Sequence, residues 1–276
     1  MAALLALGAA LAWGAGDFLG GLTSRKAPVL MVLGVSQLIG FAGLLVWLGI
    51  ARDPWPGAGE IAAAAGAGLA GAVGLAALYR GLALGAMAIV APISAASPVV
   101  PLAVDAARGT TPSGMQWLGI GAVLVGIIVL SHQPAYGERR LASGAGLAVV
   151  AALGFGLFVV GIDAAADESI AWATTTARGT SSALVVVTAL AVGVSLRPAR
   201  PLLPALVAIG VFDTGANVLV ASATTLGAAG IVAVLSALYP LTTIVLARVL
   251  LGERVDRLRR TGGAVALCGA ALVAAG

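Results

Sequence analysis

Five side chains that water normally hosts sit inside stretches otherwise too apolar for them: Asp17, Gln37, Arg178, Asp213 and Asn217. A polar or ionisable group in an apolar span is expensive unless paired or hydrated, so each marks a candidate site. Asp213 and Asn217 are four residues apart and share a helix face. That face must turn inward, because a carboxylate directed at hydrocarbon is too costly. The chemistry expected of the set is binding and coupling. Asp17, Arg178 and Asp213 would line a central cavity in which Arg178 holds a carboxylate or phosphate and an aspartate exchanges a proton. The competing reading is an Arg178–Asp213 ion pair that only locks two spans together. Asp17, about five residues from its predicted helix end, could equally snorkel or cap.

Four further residues join the candidate site. Tyr239 precedes Pro240, which removes a backbone donor and frees a carbonyl for a cavity. Ser94 and Ser236 occupy matching places in an internal repeat and would line the same cavity, although serines in membrane helices often bond back to their own backbone. Tyr79 closes the third apolar run beside Arg80, a snorkelling anchor. Nothing resembles catalysis or cofactor chemistry. The single histidine, His132, has no companion for a metal, and the single cysteine, Cys268, excludes an internal disulfide and reads as a packed core thiol. No phosphate loop or nucleophile constellation appears. Neither an enzyme nor a metal or cofactor is therefore expected.

The elements that must position these residues are helices in lipid. Charged residues make up 9% of the chain and hydrophobic ones 61%, and the mean hydropathy is +1.09. Soluble domains carry about 25% charge; this chain cannot coat itself for water. Its 39 glycines lie within apolar runs, as suits close helix packing in a bilayer. Apolar runs bounded by Pro, Gly and charge predict spans near 2–22, 28–50, 59–79, 86–105, 114–131, 143–163, 170–194, 202–223, 228–250 and 259–275. The first run has no positive flank and reads as a span rather than a signal peptide. The five tryptophans fall mostly near predicted interfaces. A pI of about 10.0 reflects juxtamembrane arginines rather than a nucleic-acid surface.

An internal repeat organises the ten predicted spans. Residues 85–100 (GAMAIVAPISAASPVV) match 227–242 (GAAGIVAVLSALYPLT) at eight of sixteen positions, where composition alone gives about two. Gly109, Gly119 and Gly126 match Gly252, Gly262 and Gly269 at an offset of 143, and Gly14 and Gly16 match Gly154 and Gly156 at 140. The expected fold is an all-α integral membrane protein of two five-helix repeats, 1–131 and 143–276, joined by a linker at 132–142. Five is odd, so the copies are inverted, and such repeats place a site near the midplane between halves. Arg178 and Gln37 become equivalents facing each other across the pseudo-two-fold axis. The odd-numbered loops hold eleven Lys or Arg and the even-numbered ones two; the positive-inside rule puts the odd loops in the cytoplasm and both termini outside. A row of small residues, Gly262, Ala266, Ala270 and Ala274, suits either a dimer or packing against span five.

Ser236, Pro240, the step Gly252-Glu253-Arg254, then Gly262 and Gly269 resemble the repeat of EamA-like transporters, within the drug/metabolite transporter superfamily. Ser94, Pro98, Gly119 and Gly126 supply the first copy, which departs at the turn, where Thr110 and Thr111 follow Gly109. Trp13-Gly14-Ala15-Gly16-Asp17-Phe18 resembles that family's first span, and the resemblance covers the whole chain. It implies a secondary transporter or exporter of small polar metabolites such as amino acids, in the cell membrane, as a monomer or homodimer. It also implies cytoplasmic termini, against the charge count. Asp17 stands where the related four-helix small multidrug transporters carry their coupling acid, so protons are the expected coupling ion. The expected partners are a small-molecule substrate and the lipid bilayer. A membrane enzyme on a lipid-linked substrate and a structural subunit are the alternatives; the first wants clustered acids, histidines or a metal, and the second has no need of buried Asp and Arg.

Overall fold

The computed structural model describes residues 1–83, 93–131, 141–252 and 256–276, and among them every regular element is helical. In chain order the helices are α1 (Ala2–Ser24), α2 (Val29–Ala51), α3 (Ala58–Ala83), α4 (Val99–Ala107), α5 (Gly114–Ser131), α6 (Leu141–Ala166), α7 (Ile170–Ala191), α8 (Leu203–Thr224), α9 (Ala229–Ser236), α10 (Tyr239–Leu251) and α11 (Arg257–Ala275), with one 3-10 turn at Arg200–Leu202. Without water, backbone polar groups must be satisfied within their own segment, which makes the helix the solution for each apolar run. Six of the described helical stretches are long and apolar enough to cross a membrane, α9 and α10 counting together. The linker expected at 132–142 lies almost wholly outside the described residues, with His132.

The predicted helix over 228–250 is in fact two. The chain breaks at Ala237–Leu238 between α9 and α10, and Pro240 sits in the first turn of α10. Its ring has no N–H to donate and would meet the carbonyl one turn back, so the helix restarts there. Span four behaves alike where described: Pro98 is the N-cap of α4, and residues 84–92 lie outside the description. Both half-helices then stop at glycines with positive φ, Gly109 at 86° and Gly252 at 68°, a conformation that suits a residue without Cβ.

Exchanging the two halves keeps the main helix pairs. α1 lies along α8 as α3 lies along α6, while α2 meets α7 and α5 meets α11 across the axis. Glycine makes these crossings close. A Cβ on Gly119 would stand 2.7 Å from Gly269 O, and one on Gly126 2.7 Å from Gly262 O; at the offset of 143 these are one contact made twice. The front of the repeat needs a correction. Gly14 packs on Tyr239 O as Gly156 packs on Ser97 O, so both members of the contact are 142 apart. Gly14 corresponds to Gly156, and the offset of 140 paired neighbours two positions out of register.

Two further expectations are settled by α11. Of the predicted row, Gly262, Ala266 and Ala270 are buried and Ala274 is exposed; α5 packs on α11, so the first three serve intramolecular packing. Cys268 is exposed on the opposite face rather than packed in the core, because the small-residue stripe takes the inward positions.

The helices expose two unlike ends. One gathers the first and last residues of the chain: Gly227 lies against Ala2, and Gly276 against Ser113 and Gln116. The other carries Arg25, Lys26, Arg197, Arg200, Arg257 and Arg260. We call them the terminal end and the basic end.

Candidate functional site

The polar residues predicted for the middle of the bundle converge where α2, α7 and α8 meet. α7 carries the run Thr174-Thr175-Thr176-Ala177-Arg178-Gly179-Thr180-Ser181-Ser182. Some of these hydroxyls bind backbone: Thr174 donates to Ile170 O at 2.7 Å, and Thr180 reaches Ala177 O at 3.0 Å and Ala65 O at 3.2 Å. Close helix approach is again made by glycine, with Gly68 against Ala177 O, Gly40 against Thr214 and Gly210 against Ser36 O. Arg178, at 5% exposure, is pinned within this junction, and its Nη1 donates to Asp213 Oδ2 at 2.6 Å. Asp213 itself is 36% exposed. Across the axis Gln37 is buried, with Ser181 Oγ 3.1 Å from its Oε1.

The junction is charged but not saturated. Arg178 Nε and Nη2, Ser182 Oγ and Thr214 Oγ1 are buried and have no hydrogen-bond partner among the described residues. Most buried polar atoms in folded proteins are paired, so four orphans in one junction call for an explanation.

Asp17 adds a second acid from α1. It lies two turns inside a helix that continues to Ser24, which removes the capping reading, yet it is exposed. The exposure is not to lipid. Leu4 and Leu11, 68% and 62% exposed, mark the outer face of α1, and at 100° per residue Asp17 lies roughly 120° away from them. A Cβ on Gly16 would be 3.6 Å from Asp213 N, which places Asp17 at the level of Asp213. Trp13, one turn before Asp17, meets Tyr239 edge to face with ring centres 6.4 Å apart. Asp17 is therefore exposed on α1, the helix that packs on α8 and α10.

The two ends of the bundle are packed unequally around these residues. The terminal-end half of span nine, α9, buries seven of its eight residues, whereas no residue of the basic-end half, α10, is buried. α4 is the repeat equivalent of α10, but it buries Pro101, Leu102 and Asp105. Four polar contacts tie down the terminal end. Asp105 Oδ2 accepts from Gly230 N at 2.6 Å in the first turn of α9. Arg108 donates to Asp163 at 2.9 Å. Ser169 Oγ donates to Asp53 at 2.6 Å while Trp172 Nε1 donates to Asp53 O at 3.2 Å, beneath an edge-to-face Trp55–Trp172 pair.

A paired repeat with broken fourth and ninth spans and a charged midplane is what a sequence comparison meets here as well. The EamA-like transporter family matches residues 1–132 and again 142–275. The chain belongs to that family. It is thus a multi-pass membrane protein of the transporter kind, built on the two-repeat EamA architecture. Solved structures agree on the fold: 28 chains match, one of them a crystal structure superposing with a TM-score of 0.80 at 19% identity over 98% of this chain and 95% of that one. No curated protein matches in sequence.

In this EamA member the predicted site residues divide. Arg178, Asp213, Gln37, Asp17 and Tyr239 come together, and Asn217 stands half-buried one turn from Asp213. Ser236 does not join them. It is buried and donates to its own helix at Val232 O, 2.8 Å away, the back-bonded alternative. Ser94 is buried at the matching place, and the side chain of Tyr79 lies outside the described residues. Sequence reasoning missed Ser182, Thr214 and Trp13. The density of hydroxyls around Arg178 was a usable signal for the first; Trp13, assigned with the others to interfaces, faces the interior space instead.

Proposed function

We propose that this protein is a secondary transporter of small polar metabolites that works by alternating access, with ten crossings arranged as two inverted five-helix repeats and with an energy source in a proton gradient. One observation carries the reading: two repeat-equivalent half-helices, α4 and α10, are packed differently around a charged midplane. Inverted repeats that exchange such packings open the site first to one side and then to the other, and here the terminal end is closed. Arg178, Asp213, Asp17, Gln37, Asn217 and Tyr239 form the binding and coupling site, with Asp17 as the proton carrier. The Lys and Arg bias puts the basic end in the cytoplasm. The site then faces the cytoplasm, ready to load a solute for export.

The test is flux into or out of proteoliposomes holding the purified protein, with and without an imposed pH gradient. Counterflow of a polar metabolite that depends on Asp17 supports the reading. Absence of flux for amino acids, organic acids, sugars and nucleotides alike, with protein that remains folded, rejects it.

A further inference from the structure

Nη1 of Arg178 is engaged by Asp213, but its Nε and Nη2 are not. These two nitrogens form one edge of the guanidinium, with parallel N–H bonds set at the spacing of two carboxylate or phosphate oxygens. The engaged nitrogen belongs to the other side of the group. Asp213 thus holds the guanidinium in place and leaves its bidentate edge buried and unpartnered. Ser182 Oγ, one helical turn from Arg178, and Thr214 Oγ1, next to Asp213 on α8, are unpartnered as well. All four atoms belong to buried residues, with Arg178 at 5%, Ser182 at 2% and Thr214 at 8% exposure.

We infer that the α2–α7–α8 junction is an oxyanion subsite that binds the carboxylate or phosphate group of the transported solute bidentately on Nε and Nη2 of Arg178, with Ser182 and Thr214 as hydroxyl donors. This deepens the transporter reading and rests on it. The neighbouring charges agree with a singly anionic group. Arg178 is already compensated once by Asp213, which disfavours solutes of higher negative charge. A purely structural ion pair leaves the open edge and both hydroxyls without a purpose, and the three residues answer differently to substitution under the two accounts. If they only pack, removing an unpartnered buried hydroxyl relieves a desolvation penalty and changes nothing else. If they bind, the same change stabilises the ligand-free protein and weakens the ligand.

The experiment uses the full chain in detergent and four probes of one size: benzoate, phenyl phosphate, benzyl alcohol and benzylammonium. Melting temperatures are read against probe concentration, since a ligand of the folded state raises them by mass action. Benzoate, phenyl phosphate or both raise the melting temperature of the wild type and the two other probes do not; which anion acts tells carboxylate from phosphate. S182A and T214V melt higher than the wild type without probe, yet bind the anion about tenfold more weakly, the loss expected for one hydrogen bond to a charged group. R178K, which keeps the charge opposite Asp213 but not the two-pronged edge, loses the response. A response to benzylammonium or benzyl alcohol equal to that of the anions overturns the inference, and so does an anion response that S182A and T214V leave unchanged, whether or not R178K folds. Flux of the same probes in proteoliposomes separates the two levels. Transport of benzylammonium without benzoate or phenyl phosphate rejects the subsite and keeps the transporter. Anion binding with no flux of any solute keeps the subsite and rejects the transporter.

Discussion

Removing Asp213 while keeping Arg178 isolates the energetics of the central pair. Arg178 is 5% exposed and its Nη1 lies 2.6 Å from Asp213 Oδ2, so Asp213→Ala leaves a buried guanidinium without its paired carboxylate. Breaking a buried pair from one side costs about 3–5 kcal/mol, and Asp213 is itself 36% exposed, which places this case at the lower end, about 3 kcal/mol. Replacing both partners by apolar residues of similar size, Arg178→Met with Asp213→Leu, removes the charges together and is expected to return within about 1 kcal/mol of the wild type. Reversible unfolding in mixed micelles gives the stability of the three proteins, and proteoliposome flux gives their function. The expected pattern is a stable but inactive double variant. If the double variant folds and still transports, the pair is a lock between α7 and α8, and the binding role assigned to it is refuted. If the double variant is as unstable as Asp213→Ala, the loss is not one of charge compensation and the premise behind the magnitude fails.

Four other outcomes follow from the same geometry. The terminal end is held by a charged hydrogen bond that Gly230 N donates to the Asp105 carboxylate and by an ion pair between Arg108, 52% exposed, and Asp163; the first is worth about 1.5–3 kcal/mol and the second under about 1. Asp105→Ala with Arg108→Ala should therefore move the access equilibrium by about tenfold to a hundredfold, read as faster reaction of a cysteine at Asn217, in a Cys268→Ser background, with an impermeant maleimide added from the terminal end. Gly119→Ala places a methyl 2.7 Å from Gly269 O and should destabilise by about 1–3 kcal/mol, whereas Gly121→Ala, with nothing within 4 Å, should be neutral or stabilising; thermal melts in detergent compare them. Asp17→Asn should retain solute binding by thermal shift but make flux insensitive to a pH gradient. A cysteine appended to the last residue should react with an impermeant biotin-maleimide in intact cells if the basic end is cytoplasmic, and only after lysis if it is not.

Much of the architecture was legible because repeat and hydropathy are additive signals. Each apolar run predicted a helix, and the glycines matched at an offset of 143 in spans five and ten proved to be contacts made twice. The front register was not legible. Gly14 and Gly16 match Gly154 and Gly156 in spelling, but the backbone each must approach, Tyr239 O or Ser97 O, lies in another helix. The break in span nine was foreshadowed by Pro240 and still read as continuous, because hydropathy does not register a missing N–H. For the site, an ionisable residue in lipid is visible in the sequence as a cost, so Asp17, Arg178 and Asp213 stood out. Ser182 and Thr214 did not, since a serine or threonine in a membrane helix normally returns its hydroxyl to its own backbone, as Ser236 and Thr174 do here. Only coordinates tell which ones fail to.

The scaffold is symmetric and the charges on it are not, and this bears on how the two could be coupled. At the repeat register Arg178 stands where the first half has Gln37, and Asp213 where it has Gly71. The packing also places α1 and α2 on α8, and α6 and α7 on α3, with α2 and α7 meeting across the axis. Asp17 and Asp213 ride on the first group and Arg178 on the second, so the 2.6 Å ion pair bridges the two groups that would rock under the proposed alternating access. A solute anion on the open edge of Arg178 weakens the hold of Asp213 by competing for the same positive charge, and it thereby loosens the bridge. Movement would then be favoured when the site is filled. The consequence is measurable: with the anion bound, a spin label on α7 and one on α8 should show a broader distance distribution than in the free protein, and Arg178→Met with Asp213→Leu should show that breadth without any ligand. A distribution that narrows on binding would instead mean that the solute reinforces the bridge, and coupling would have to be sought in Asp17 alone.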